Sequence, residues 1–162
     1  MIVTPSFPTE ESKMPTPTAT IYLNFACGTC RKAHDLLTAF NADAAPHDKV
    51  DVTIVEYVKT KLDVATIKSL LALLFPDDPS PSPLLMMRTT SEDFRALKLD
   101  ALDPVDDREA LIKAMSADPL LIARPIFVKD GRAIIARPHD RLYELLKTDY
   151  IADQPHPVDD YC

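Results

Sequence analysis

A chain of 162 residues accommodates one domain with tails and is long enough to bury a real core. Its formal net charge of −7 argues against a general nucleic-acid surface, no apolar stretch approaches the ~20 residues of a membrane span, and only two glycines, Gly28 and Gly131, leave no glycine-rich phosphate loop. The opening residues lack the basic and apolar regions of a secretory signal, and three cysteines do not make a disulfide framework, so a reducing, cytoplasmic setting is expected.

Residues 1–17, rich in proline and threonine, read as a disordered leader. Residues 20–26 are β-branched and aromatic and predict a strand. Residues 31–40 place Ala33, Leu36, Leu37 and Phe40 on one helical face. A second strand is predicted over 52–58. Asp63 then caps a helix whose apolar stripe is Val64, Ile67, Leu70, Leu71 and Leu74. Four prolines from 76 to 83 break it. Ser91 is placed as the cap of a short helix holding Phe94, Leu97 and Leu99, and a further helix over 106–115 turns Leu111, Ile112 and Met115 inward. The apolar run 120–128 leads through Asp130-Gly131 into Ala133-Ile134-Ile135, a hairpin signal. Pro138 suits the first turn of a last helix with Leu142, Leu145 and Leu146.

This order predicts an α/β, thioredoxin-like (glutaredoxin-type) fold with a mixed four-stranded sheet. The first two strands run parallel and the hairpin antiparallel. The expected domain spans 18–148, with a helical insertion at about 63–116 and a C-terminal tail at 149–162.

Cys27-Gly28-Thr29-Cys30 stands at the junction of the first strand and first helix. Unpaired backbone N–H groups and the positive end of the helix dipole favour a thiolate there. A CxxC motif can lower a thiol pKa from ~8.5 into the ~3.5–7.5 range, which points to redox or thiol-nucleophile chemistry. A zinc half-site and inert buried thiols are the competing readings. Structural zinc needs four ligands. Only Cys162, read as an exposed terminal thiol, remains, and His34, His47, His139 and His156 offer no closely spaced pair, so no metal is expected. Arg88, Arg124 and Arg137 sit at element ends flanking apolar runs. Singly each reads as a solvated charge. As a set they suit a tetrahedral oxyanion, because guanidinium is planar, permanently charged and bidentate.

Residues 20–147 resemble the ArsC-type arsenate reductases of the glutaredoxin-linked class. The resemblance rests on Thr20-Ile21-Tyr22, Asn24, Cys27 and Arg31, then Val55-Glu56-Tyr57-Val58-Lys59-Thr60 and Met87-Arg88-Thr89. It continues through 120–128 and Ala133-Ile134-Ile135-Ala136-Arg137-Pro138. It implies Cys27 as catalytic cysteine, Arg88, Arg124 and Arg137 as oxyanion ligands, a structural role for Arg31, and a cis Arg124-Pro125 bond opposite the thiol. It also implies a small oxyanion substrate, no bound cofactor, and electrons from glutathione or another thiol through glutaredoxin or thioredoxin. No membrane or nucleic-acid partner and a monomer are expected.

The chain departs from that family at Leu23, where histidine is frequent, at Phe25, where proline is frequent, and at Cys30, where serine is common. The CxxC followed by Arg31-Lys32-Ala33 also resembles the Spx-type redox regulators, which share the fold. Arg137 favours the enzyme, since those regulators generally lack its match. Cys30 is placed to resolve an intermediate as a Cys27–Cys30 disulfide. The alternatives are a redox-sensing regulator and a general thiol–disulfide oxidoreductase using the same disulfide.

Overall fold

Burial alternates along β1 (Thr18–Leu23), sending Ala19, Ile21 and Leu23 to one face of a sheet and leaving Tyr22 against the other. The computed structural model describes residues 16–146. After β1 come α1 (Gly28–Asp43), β2 (Asp51–Glu56), α2 (Tyr57–Thr60) and α3 (Val64–Leu74). Then follow α4 (Glu92–Ala96), α5 (Arg108–Ala117), β3 (Ile126–Lys129), β4 (Arg132–Ile135) and α6 (Tyr143–Leu146). The sheet order is β2-β1-β3-β4, with β1 parallel to β2, and β3 antiparallel to both β1 and β4. This is the mixed α/β, thioredoxin-like arrangement expected. The turn between β3 and β4 puts Asp130 (φ 52°) and Gly131 (φ 71°) in the left-handed region, the type I′ geometry that an Asp-Gly pair favours.

Each face of the sheet has its own core. On one, Ala33 and Leu37 of α1 pack with Ile21, Leu23, Phe127 and Ile134. On the other, Ile67 and Leu71 of α3 and Leu111, Ile112 and Met115 of α5 pack with Ile126. These five helical side chains have no exposure, and burial of each contributes roughly 1.5–3 kcal/mol. Asn41 ties α1 to the start of β2, donating to the Val50 carbonyl at 2.7 Å and accepting from its N–H at 2.9 Å. The predicted caps are present: Asp63 accepts from the Thr66 N–H at 2.7 Å, and Ser91 Oγ from the Phe94 N–H at 3.2 Å.

Several boundaries differ from the sequence reading. β1 stops at Leu23 because Asn24 turns the chain, its side chain accepting from the Ala26 N–H and its carbonyl from the Cys27 N–H. β2 stops at Glu56, and Tyr57 and Val58 belong to the single helical turn α2, which closes where Lys61 adopts φ 57° and donates to the Tyr57 carbonyl. Leu97 is 51% exposed rather than inward, because α4 ends at Ala96, and Leu99 is buried in a separate 3-10 turn. The run 120–128 is not one strand: Pro119–Leu121 form a 3-10 turn, Ile122 makes an isolated bridge to Met87, and β3 begins at Ile126. Pro138 precedes rather than enters the last helical segment, which starts as a 3-10 turn, His139–Leu142. The leader expected at 1–17 lies outside the described residues up to residue 15, as does the whole tail expected at 149–162 with Cys162. Among the described residues no helix is long and apolar enough to cross a membrane.

Candidate active site

Strand pairing brings four chain segments to one end of the sheet. Leu23 lies opposite Glu56, Tyr22 opposite Ile126, and Ile126 opposite Ile135. The segments leaving β1, β2 and β4 and the segment entering β3 therefore emerge together, carrying the CxxC motif, Tyr57, Arg137 and Arg124-Pro125. Arg88 is stitched to the same end. Its N–H donates to the Leu121 carbonyl at 2.7 Å, and its Nη1 to the Leu120 carbonyl at 3.2 Å, beside the Met87–Ile122 bridge.

Cys27 is the N-cap residue of α1, with extended backbone (φ −90°, ψ 127°) and no side-chain cap hydrogen bond. No acidic residue occupies the first turn of α1, so nothing there offsets the dipole's preference for a thiolate. Cys30 follows one turn later and is fully buried. Cys30 carries a free thiol. Burial pushes the Cys30 thiol up from its ordinary value. The Asn24 backbone hydrogen bond and the charges of Arg124, Arg137 and Arg31 oppose that without overcoming it. Cys30 is therefore a neutral thiol near pH 7. Arg31 Nη1 donates to the Phe25 carbonyl at 2.7 Å and so braces the loop before Cys27. At the two departure positions, Leu23 is fully buried, and Phe25 lies exposed, edge-on to the His34 ring at 5.3 Å.

Arg124 is only 5% exposed, and its peptide bond to Pro125 is cis. Its Nε and Nη1 are buried with no hydrogen-bond partner. A buried donor left unpaired costs about 1–3 kcal/mol, and more on a charged group. Buried unpaired donors of this kind call for a functional explanation. Arg137 Nη1 donates to the Arg124 carbonyl at 3.4 Å, and the Arg137-Pro138 bond is also cis. The Arg88 guanidinium is held below its ordinary value, first by burial and then by the charge of Arg124, with Arg137 adding to it. Arg88 thus feels the charges of Arg124 and Arg137, and these two also act on Cys30, in a chain whose net charge is −7. Guanidinium groups crowded this way suit an anion that bridges them. Among the described residues no group of three His, Cys, Asp or Glu side chains is placed to hold a metal.

The sequence reading missed Tyr57. It is fully buried, and its hydroxyl donates to the Ile122 carbonyl at 3.2 Å. Burial pushes this phenol up to about 12 despite the nearby charges of Arg124 and Arg88. The available signal was positional: an aromatic with a polar tip directly after the strand that runs parallel to the CxxC strand.

The ArsC family matches residues 22–145. The chain is 32% identical over 126 residues to the uncharacterized protein YfgD of Escherichia coli (strain K12), covering 78% of this chain and 94% of that one. It is 28% identical over 130 residues to an arsenate reductase of Neisseria meningitidis, covering 80% and 99%. A solved arsenate reductase from Vibrio cholerae superposes with a TM-score of 0.65 at 27% identity, over 80% of this chain and 98% of that one.

Proposed function

Because the chain belongs to the ArsC family, we propose that it is a thiol-dependent reductase of a tetrahedral oxyanion, with arsenate the first candidate. In this reading Cys27 is the nucleophile and Arg88, Arg124 and Arg137 hold the anion. The observation that carries it is the Arg124 guanidinium, buried beside the CxxC turn with Nε and Nη1 unpartnered. Preorganised donors aimed at developing charge are often the largest catalytic contribution, about 10²–10³ for one donor.

Attack of the reduced Cys27 sulfur on arsenic forms an S–As bond and expels one oxygen as water, taking up the thiol's proton. A second thiol then attacks the Cys27 sulfur. The S–S bond forms, and the S–As bond breaks with its electron pair left on arsenic, which falls from As(V) to As(III) and departs as arsenite. Cys30, three residues along the same helical turn, is one source of that thiol, and glutathione is the other. Glutaredoxin or thioredoxin then reduces the disulfide.

The CxxC pair supports a second reading, a redox switch without turnover. Both are tested by NADPH consumption with arsenate in a glutaredoxin- or thioredoxin-coupled assay. Arg124→Ala should reduce turnover about 10²–10³-fold while leaving peroxide-driven oxidation of the CxxC thiols intact, and Arg95→Ala, on an exposed position of α4, should change neither. Wild-type protein that reduces no oxyanion with any thiol donor rejects the enzyme and leaves the switch.

A further inference from the structure

We propose that residues 1–15 of this chain dock along the open edge of the sheet and lay apolar side chains into the groove between α1 and β2.

α1 covers the sheet unevenly. Its Ala33 and Leu37 pack with Ile21, Phe127 and Ile134 of the other three strands. The register of β2 with β1 sets Ile54 beside Ile21, on the α1 side of the sheet. Ile21 has no exposure, whereas Ile54 is 41% exposed. The result is a groove of about 300 Å³, with His34, Thr38 and Asn41 on the helix wall and Asp51, Val52 and Ile54 on the strand wall. Among the described residues β2 has no strand on its outer side. An edge of that kind presents N–H and C=O groups for pairing, and Val52-Thr53-Ile54-Val55 has no charge or proline to discourage it.

The path of the chain points to its own leader as the occupant. The Pro17 carbonyl accepts from the Asp51 N–H at 2.8 Å, so the chain enters β1 where the groove begins. Residues 1–15, which precede the described residues, include Ile2, Val3 and Phe7. Extended chain covers about 3.3 Å per residue, so Phe7 reaches about 33 Å from Pro17, against about 10 Å from Asp51 to Ile54. Traced back from Pro17, the segment lies antiparallel to β2, an orientation that a short connection permits. Its composition gives it no core of its own, and such segments order on a surface that supplies one. Tethering sets its effective concentration at the groove to about 1 mM, so a contact with a Kd of about 0.1 mM keeps it docked about nine-tenths of the time. At the far end His34 stands edge-on to Phe25, two residues before Cys27, so the docked segment extends toward the CxxC turn.

NMR of the full chain tests this. The Phe7 ring should give nuclear Overhauser contacts to the methyls of Val52 and Ile54. The amides of 52–55 that do not donate to β1 should exchange about tenfold more slowly than in an Ile2→Ser, Val3→Ser, Phe7→Ser variant. Ile54→Asp, at an exposed position, should remove both signals while the amides pairing β1 with β3 stay protected, which shows the fold intact. Absence of the Phe7 contacts, or equal exchange in the wild type and the triple variant, overturns the proposal. Contacts found only between labelled and unlabelled molecules of a mixed sample assign the groove to a second copy and overturn it too.

Discussion

Two arginines at opposite flanks of the β3–β4 hairpin follow opposite rules. Arg141, beyond β4, is satisfied from within: Nε and Nη2 donate to the two Glu144 carboxylate oxygens at 3.0 and 3.3 Å, and Nη1 to the Ile135 carbonyl at 3.1 Å. Arg124, before β3, is far more buried, yet Nε and Nη1 have no partner. Hydrogen bonding alone would arrange them the other way, since desolvated charge is what most needs pairing. Arg141 fastens the C-terminal turns to the sheet. On the proposed oxyanion reading, Arg124 is a place where stability is traded for a site.

The largest expected effect breaks that contrast open. Arg124→Met fills a similar volume without charge, and replacing buried charge by apolar atoms is often neutral or stabilising. Turnover should fall about 10²–10³-fold, whereas the melting temperature in anion-free buffer should hold or rise. A clear loss of stability with turnover intact would make Arg124 a structural residue of the same kind as Arg141.

Alkaline pH tests the buried hydroxyl of Tyr57, at the same end of the sheet as Arg124. An unfolded tyrosine ionises near 10, while folded Tyr57 is pushed up to about 12 by burial. Between those values the unfolded chain releases a proton that the folded chain keeps. Stability therefore falls with rising pH across that window, is intact below it, and stops falling from this source above it. Two units correspond to about 3 kcal/mol. Urea unfolding of wild-type protein and Tyr57→Phe, compared at about pH 9 and about pH 11, should show a steeper loss in the wild type. Parallel losses would mean that the hydroxyl is solvated.

Features with local causes were legible in the sequence. The CxxC turn, the Asp63 and Ser91 caps and the Asp130-Gly131 turn each follow from a few neighbouring residues, and the structure has all of them. The order of elements was sufficient to predict a parallel β1–β2 pair and the antiparallel hairpin. What stayed hidden depends on distant partners. Tyr57 reads as a continuation of the β-branched run that begins at Val52, and the partner of its hydroxyl, the Ile122 carbonyl, lies 65 residues away. Leu97 reads as core in the helical repeat, yet α4 stops one residue earlier. The arginines were found as a set, but composition assigns arginine to the surface by default. That Arg124 is the buried member, and Arg141 a satisfied one, depends on how segments meet at either end of the hairpin.

The smallest effect belongs to Arg141 and tests the other half of the comparison. Its side chain is 41% exposed and that of Glu144 25%, so water screens the pair. Exposed ion pairs are worth about 0.2–1 kcal/mol, with bidentate geometry at the upper end. Arg141→Met should therefore lower unfolding stability by about 1 kcal/mol or less and leave oxyanion turnover unchanged. In a double-mutant cycle, Glu144→Gln should recover most of that loss as coupling, and added salt should shrink it. If Arg141→Met instead abolished turnover while stability held, a fully partnered arginine would also belong to the anion site. The unpartnered nitrogens of Arg124 would then no longer mark it out.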